Sequence, residues 1–157
     1  MDVITDVQIT SYTKEKKKLH EELKPRFKDR GTNYCFDKEI KGEYEHTFKI
    51  IIRQSKINPL DFSVIFGVLI GNKVFRIKRY NGDHGCHTNK IEGTQIKGFH
   101  IHKATERYQQ KGFQEDGYAE KTTKYANWTR ALGVMLQENN FEIEVDEGQI
   151  QTRLNIE

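Results

Sequence analysis

The chain has 157 residues, of which 31% are charged and 35% are hydrophobic, and its formal net charge is +3. This length predicts a single domain over residues 1–157 that can bury a core without a metal or a disulfide. The longest apolar run, VIFGVLI at 64–70, is too short to cross a membrane, and two cysteines define no disulfide framework. These features argue against a membrane partner and a secreted disulfide scaffold, so we expect a cytoplasmic protein.

The first predicted element is a helix over residues 5–23. The segment KEKKKLHEE at 14–22 has strong helix propensity, and Pro25 ends the helix because proline lacks a backbone donor. We interpret the lysines of this helix as a solvent-exposed face, and nucleic-acid binding is the alternative. These residues are Lys14, Lys16, Lys17 and Lys18.

Three strands are predicted next. Residues 46–54, HTFKIIIRQ, alternate between an apolar face and a partly basic face that carries Lys49 and Arg53. Residues 62–80 contain two β-rich runs around Gly71-Asn72, which is a two-residue hairpin signal. In the second run, strict alternation predicts that Phe75 and Ile77 point to the core, and that the following side chains point away from it: Arg76, Lys78 and Tyr80.

The rest of the chain is predicted to form a loop, two helices and short strands. The glycine-rich residues 81–97 indicate a long loop, and FHIH at 99–102 indicates a short strand. A capped short helix is predicted at 106–111, a helix with an apolar stripe at 125–140, and a C-terminal hairpin from FEIEV and IQTRL. This order predicts an α+β fold, with an antiparallel sheet of about five or six strands centred on residues 46–102 and helices packed on one face.

Because side chains alternate along a strand, the sequence indicates which candidate functional residues share a face of the sheet. In GFHIHK at 98–103, Phe99 and Ile101 share one face, and His100 and His102 share the other. The apolar pair is expected to face the helices, so the histidines face away from them. If the strands are neighbours, basic and polar side chains of the other strands line the same surface: Lys49, Arg53, Arg76, Lys78 and Tyr80.

Such a surface suits cleavage of RNA without a metal or another cofactor. The reaction needs a base for the 2′-hydroxyl proton, an acid for the leaving 5′-oxygen and a cation for the phosphate. Histidine serves as base or acid because its pKa of about 6.5 keeps both forms available near neutral pH. We assign His100 or His102 as the base and His84 as the acid. The residues expected to bind phosphate or stack on a base are Arg76, Lys78, Arg79, Tyr80, Arg107 and Tyr108.

Other functions fit the same residues. His84, His87, His100 and His102 lie within nineteen residues and form an alternative set of zinc ligands, although their spacing matches no standard zinc motif. Cys86, between two of these histidines, is a minor alternative as a nucleophile. A non-enzymatic module that binds nucleic acid, another phosphate-bearing ligand or a protein would use the same basic face.

The segments FRIKRYNGDHGCHTNKIEG at 75–93 and FHIHKATERYQ at 99–109 resemble a group of small uncharacterised bacterial and phage-borne proteins. Their layout is also similar to that of the TumE-type toxins of bacterial toxin–antitoxin pairs. In those toxins a strand ending in an Arg/Tyr-containing turn precedes a histidine-bearing segment and then a strand with paired histidines. The matching residues here are Arg79, Tyr80, Asn81, His84, His100 and His102. The resemblance implies a growth-inhibiting toxin that cleaves RNA, with a cognate antitoxin as its partner.

Overall fold

The computed structural model describes residues 2–144 and has the predicted α+β fold. In chain order its elements are α1 Asp6–Lys14, β1 Lys17–Leu19, β2 Lys28–Arg30, β3 Asn33–Lys41, β4 Thr47–Ser55, β5 Phe62–Ile70, β6 Lys73–Asn81, β7 Cys86–Thr88, β8 Gln95–Lys97, β9 His100–Lys103, α2 Glu106–Gln110, β10 Tyr118–Lys121, α3 Trp128–Glu138 and β11 Phe141–Ile143.

The central element is an antiparallel sheet of seven strands in the order β10-β9-β6-β5-β4-β3-β2. Two small sheets accompany it, the antiparallel hairpin β7–β8 and the parallel pair β1–β11. The central sheet has seven strands rather than the expected five or six, because the sequence pattern does not indicate β2, β3 and β10. Strand β3, NYCFDKEIK, places charged side chains among its apolar ones, so its β pattern is weak.

The core lies between one face of the sheet and the helices α1 and α3. Alternate residues of β4 and β5 are fully buried, as a strand with one core-facing side requires. Helix α3 packs on β5 and β6 through Ala131 and Met135, and Ile9 brings α1 into the same apolar cluster. The helix predicted at 125–140 therefore exists, but it begins later because Asn127 is its N-cap.

The N-terminal helix is much shorter than predicted and ends at Lys14. The chain then turns into β1, and Lys17 is fully buried rather than solvated. Its ammonium group donates to the backbone oxygens of Tyr12 at 2.7 Å, Glu15 at 2.7 Å and Asn139 at 2.6 Å. Tyr12 and Glu15 lie at the C-terminal end of α1, so Lys17 supplies a donor to carbonyl oxygens at the end of the helix. Together these oxygens form a cage around the ammonium group.

Strand β6 carries a bulge that changes which side chains face the core. The register pairs Val68 with Phe75 and Gly67 with Arg76, but Phe66 with Lys78, so Ile77 is an extra residue. A bulge reverses the alternation for the residues that follow it. Gly67 permits the close approach of the two strands here, because a Cβ atom at this position would lie 2.5 Å from Val74 Cγ1.

The other predicted elements have mixed outcomes. Gly71, with φ of 63°, forms the predicted turn between β5 and β6. Helix α2 is present with Thr105 as its N-cap, whereas the predicted loop 81–97 contains the β7–β8 hairpin. Of the predicted C-terminal hairpin, the described part forms β11, which pairs with β1, and residues 145–157 lie outside the described residues. Within residues 2–144, no helix has the length and apolar character needed to span a membrane.

The cage around Lys17 makes a prediction about stability. In Lys17→Met the aliphatic volume is largely kept, but the caged carbonyl oxygens lose their donor. We expect the free energy of unfolding to fall by about 2–4 kcal/mol, because a buried polar group without a partner costs about 1–3 kcal/mol. Urea denaturation measures this change. Lys18→Met at the exposed neighbouring position is the matched control and should change stability by less than about 0.5 kcal/mol. Equal losses in the two variants would contradict the buried cage.

Candidate functional site

The paired histidines of β9 lie on the sheet face opposite α3, as their parity predicts. His100 stands opposite Asn81 on β6, and His102 stands opposite Arg79. Each histidine is only 3% exposed. They are therefore not on an open sheet surface, because other parts of the chain cover this end of the face.

The bulge in β6 contradicts the predicted positions of Lys78 and Tyr80. Both side chains lie on the α3 side of the sheet, where the Tyr80 hydroxyl donates to Glu138 Oε1 at 2.8 Å and accepts from Asn139 Nδ2 at 3.0 Å. The prediction that they line the histidine face is therefore wrong. The same shift places Arg79 and Asn81 beside the histidines.

Two arginines on the histidine face share a buried carboxylate. Arg79 Nε lies 2.9 Å from Asp116 Oδ2, and an Arg76 guanidinium nitrogen lies 3.2 Å from Asp116 Oδ1. The Asp116 side chain is completely buried. This ion pair fixes the loop before β10 against the sheet and offsets much of the positive charge that the sequence assigns to this face.

The β7–β8 hairpin covers the histidines and is anchored to β10. The Asn89 side chain donates to the Ala119 carbonyl at 2.9 Å and accepts from its N–H at 2.8 Å. His87 Nε2 lies 2.9 Å from the carbonyl oxygen of Gly117. These contacts hold the hairpin over the end of the sheet and bring His87 to the histidines of β9.

Four imidazole rings gather beneath this hairpin. The ring centroid of His87 lies 4.5 Å from that of His102 and 5.7 Å from that of His100. The His100 and His102 centroids are 4.9 Å apart, and His84 lies 6.4 Å from His100. The clustering that the sequence suggested is therefore present.

The tautomers of the β9 histidines follow from their backbone contacts. His100 Nδ1 lies 2.8 Å from the Gly98 carbonyl oxygen, and His102 Nδ1 lies 2.8 Å from that of Asp116. Only a protonated nitrogen donates to a carbonyl, so the proton of each neutral ring is on Nδ1 and the lone pair is on Nε2. Burial lowers the pKa of both rings, and with the nearby Arg79 charge it brings the pKa of His102 to about 2. Both rings are neutral at pH 7.

His84 has a different environment from the β9 histidines. Its side chain is about one third exposed, and its Nδ1 lies 3.9 Å from Asp61 Oδ1. Asp61 also accepts from Arg53 at 2.9 Å. His84 is thus the member of the cluster with a carboxylate neighbour and access to solvent.

These side chains enclose a cleft of about 360 Å³. It is lined by the four histidines together with Arg79, Asn81, Cys86, Lys90 and Tyr108. Lys90 makes no ion pair within residues 2–144, and its ammonium lies 5.2 Å from the Phe113 ring centroid. Asn81 is 1% exposed, and its Oδ1 has no hydrogen-bond partner among the described residues. Within the described residues, the cleft combines four imidazoles, an ammonium without an ion pair and an amide.

The remaining predicted binding residues divide between the cleft and its outside. Tyr108 lines the cleft and donates to Glu92 Oε1 at 2.9 Å. Arg107 lies outside the lining, pairs with Glu92 at 3.3 Å and stacks over the Tyr118 ring. The sequence analysis did not predict Lys90 or Asp116 as site residues, and it named Asn81 only as a residue that matches the TumE-type layout. Once the bulge is known, the alternation of β6 places Asn81 on the histidine face. Nothing near Asp116 in the sequence indicates that it pairs with Arg76 and Arg79.

The geometry of the four histidines bears on the alternative zinc set. Within residues 2–144, no group of three or more His, Cys, Asp and Glu side chains is arranged to hold a metal ion.

No family model matches the chain, and no curated protein or solved structure is significantly similar to it. The resemblance to TumE-type toxins and the assigned activity therefore stay predictions.

His102 makes the stability of the fold depend on pH. In the unfolded chain a histidine takes up a proton near about pH 6.5, whereas the folded-state pKa of His102 is about 2. The unfolded state therefore binds an extra proton between these values, so the contribution is complete above the unfolded pKa and is lost as pH falls toward the folded one. We expect this residue to remove about 1.4 kcal/mol of stability per pH unit in that window.

Two measurements check the contribution of His102. Denaturation across mildly acidic pH should give a shallower loss of stability for His102→Gln than for the wild type, because glutamine takes up no proton. In nitrogen NMR of the wild-type imidazoles, His102 should keep the neutral form with Nδ1 protonated throughout this range. A His102 ring that becomes protonated near the ordinary histidine pKa would refute the prediction.

Proposed function

We propose that the protein binds RNA in this cleft and cleaves it by acid–base catalysis without a metal. The observation that carries the proposal is the pairing of His84 and His100, whose ring centroids lie 6.4 Å apart. This separation puts two imidazoles of different environment within reach of one phosphate bound beside them in the cleft. General acid–base chemistry needs one group that accepts a proton and another that delivers one.

His100 is proposed as the base. Its Nδ1–H is held by the Gly98 carbonyl, so the Nε2 lone pair is the proton acceptor. Its neutral state at pH 7 means that this lone pair is available. Nε2 takes the proton of the 2′-hydroxyl while the 2′-oxygen attacks phosphorus. The lowered pKa that keeps His100 neutral also makes it a weaker base, so we expect a moderate rate.

His84 is proposed as the acid. In its protonated form it gives a proton to the 5′-oxygen as the bond between phosphorus and that oxygen breaks. Asp61 Oδ1 lies on the Nδ1 side of the ring at 3.9 Å, so Nε2 is proposed as the donating atom. The products are a 2′,3′-cyclic phosphate and a free 5′-hydroxyl. Proton exchange with water restores both histidines.

Cationic and amide groups are proposed to stabilise the charge that develops on the phosphate. Lys90 is the cation of the cleft lining that makes no ion pair within the described chain. Arg79 adds a guanidinium, although Asp116 offsets part of its charge. Groups fixed before the reaction stabilise a transition state better than groups that must reorganise.

His102 is proposed as a positioning residue rather than the base. Its pKa of about 2 makes the neutral ring a poor proton acceptor near pH 7. The ring contacts both His87 and His100, with centroids at 4.5 and 4.9 Å, so it supports the orientation of the proposed base. Of the two candidates for the base that the sequence offers, His100 is the one we favour.

The cleavage proposal is tested on mixed single-stranded RNA in EDTA. The wild-type protein should produce fragments that end in 2′,3′-cyclic phosphate. His100→Ala and His84→Ala should each slow cleavage by about 10²–10⁴-fold, which is the usual contribution of an acid or a base. His20→Ala, an exposed histidine outside the cleft, is the control and should cleave as the wild type does. Salt-sensitive RNA binding without fragments would favour a non-enzymatic binding module instead.

Zinc binding is a second candidate that would require the imidazoles to rearrange, because no group of three ligands within residues 2–144 is arranged to hold an ion. One observation favours it. His87, His100 and His102 each have one ring nitrogen within 2.9 Å of a backbone carbonyl, which is how proteins commonly orient zinc-ligating imidazoles. A zinc centre predicts one zinc per purified chain by elemental analysis and a loss of stability after chelation. His87→Ala should then abolish zinc binding. Cleavage that continues in EDTA with no bound zinc would support the metal-free mechanism.

We further propose that the protein acts in the cytoplasm and that a cognate antitoxin covers the cleft. Cys35 and Cys86 are free thiols, and Cys86 is exposed, which suits a reducing compartment. The antitoxin follows from the resemblance to TumE-type toxins. Co-expression with neighbouring genes tests it, because a true antitoxin restores growth and protects RNA from cleavage.

A further inference from the structure

The size of the cleft limits what can reach the proposed catalytic groups. Its volume of about 360 Å³ lies near the lower end of the range of about 300–1,000 Å³ that is typical of small-ligand sites. His100 and His102 on its floor are each 3% exposed beneath the β7–β8 hairpin. A stacked, paired nucleotide cannot enter such a space. An unpaired nucleotide can turn its ribose and phosphate inward.

The charge of the cleft limits how much of an RNA chain can be held. Arg79 is paired with the fully buried Asp116, and Arg107 outside the lining is paired with Glu92. Lys90 is the lining cation that has no ion pair within residues 2–144. A protein that follows an RNA backbone needs a track of cationic groups, one for each phosphate that it contacts. The cleft instead offers charge for one phosphate.

The amide of Asn81 adds a polar group to the cleft lining. Asn81 stands directly opposite His100 in the strand ladder, and the side chain lines the cleft. No hydrogen bond within residues 2–144 involves its side-chain nitrogen, while its buried Oδ1 also lacks a partner. An amide N–H beside the proposed base can donate to a phosphate oxygen. Lys90 and Asn81 thus both line the cleft and both offer donors to a phosphate bound there.

From these observations we infer that the substrate is single-stranded RNA recognised one nucleotide at a time, with the chain on either side of the scissile phosphate left in solvent. This inference rests on the proposed function and deepens it. It means that a dinucleotide contains everything the cleft contacts. It also means that base pairing protects RNA from the protein.

Cleavage of substrates of different length and pairing tests the inference. The second-order rate constant per scissile bond should agree within about threefold for a dinucleotide, a hexamer and a twenty-nucleotide strand, because no further phosphate is bound. The rate constant for the twenty-nucleotide strand should fall by at least about a hundredfold when the strand is annealed to its complement. Rates that rise steeply with length, or equal cleavage of the duplex, would overturn the inference.

The dependence of binding on salt separates this inference from the cleavage mechanism. Binding is measured with 2′-deoxy strands, which lack the attacking hydroxyl, so the result stands even when no RNA is cleaved. The logarithm of affinity should fall with the logarithm of salt concentration with a slope no steeper than about −1.5, since each phosphate contact contributes about −0.7. A steeper slope that grows with strand length would show a backbone track and refute the inference.

Lys90→Gln and Lys97→Gln are the matched variants for this measurement. Both lysines belong to the segment of the β7–β8 hairpin, but only Lys90 lines the cleft. Lys90→Gln should make the salt slope shallower by about 0.7, which is the contribution of one phosphate contact. Lys97→Gln should leave the slope unchanged. An equal effect of both substitutions would point to diffuse attraction at the surface and contradict the single-phosphate site.

Discussion

The bulge in β6 is the constraint on which the site depends. One additional residue, Ile77, reverses the alternation of the strand halfway along its length. Before the bulge, Phe75 packs in the core. After it, Tyr80 does so and binds α3, while Arg79 and Asn81 turn to the opposite face and meet the histidines of β9. An unbroken strand would give the cleft a tyrosine and a lysine in their place.

The parts of the fold that could be predicted are those governed by local pattern. The α+β class, the turn at Gly71 and the parity of His100 and His102 follow from periodicity and turn chemistry, which hold where a strand is regular. The bulge could not be predicted, because its cause is the approach of Gly67 on the neighbouring strand. The prediction that Lys17 is exposed to solvent is wrong for a related reason, because its ammonium group binds carbonyl oxygens as distant in the chain as that of Asn139.

The electrostatics of the cleft depend on residues far apart in the chain. A count of arginines along β6 suggests a strongly basic face, yet Asp116 pairs with both Arg76 and Arg79. The carbonyl of the same residue fixes the tautomer of His102. Asp116 therefore determines both the net charge and the hydrogen-bonding state of the site. What remains is a cleft whose chemistry depends mainly on its four imidazoles, with Lys90 as the lining cation that makes no ion pair within residues 2–144.

The anchor of the β7–β8 hairpin has a consequence for self-association. Strand β10 lies at the margin of the central sheet, where unpaired backbone groups can recruit a strand from another molecule. The amide of Asn89 occupies both the N–H and the carbonyl of Ala119, as a neighbouring strand would. The Asn89 side chain thus blocks intermolecular sheet extension at this margin. Loss of Asn89 would leave an edge strand with unpaired backbone groups and would also release the hairpin that covers the cleft.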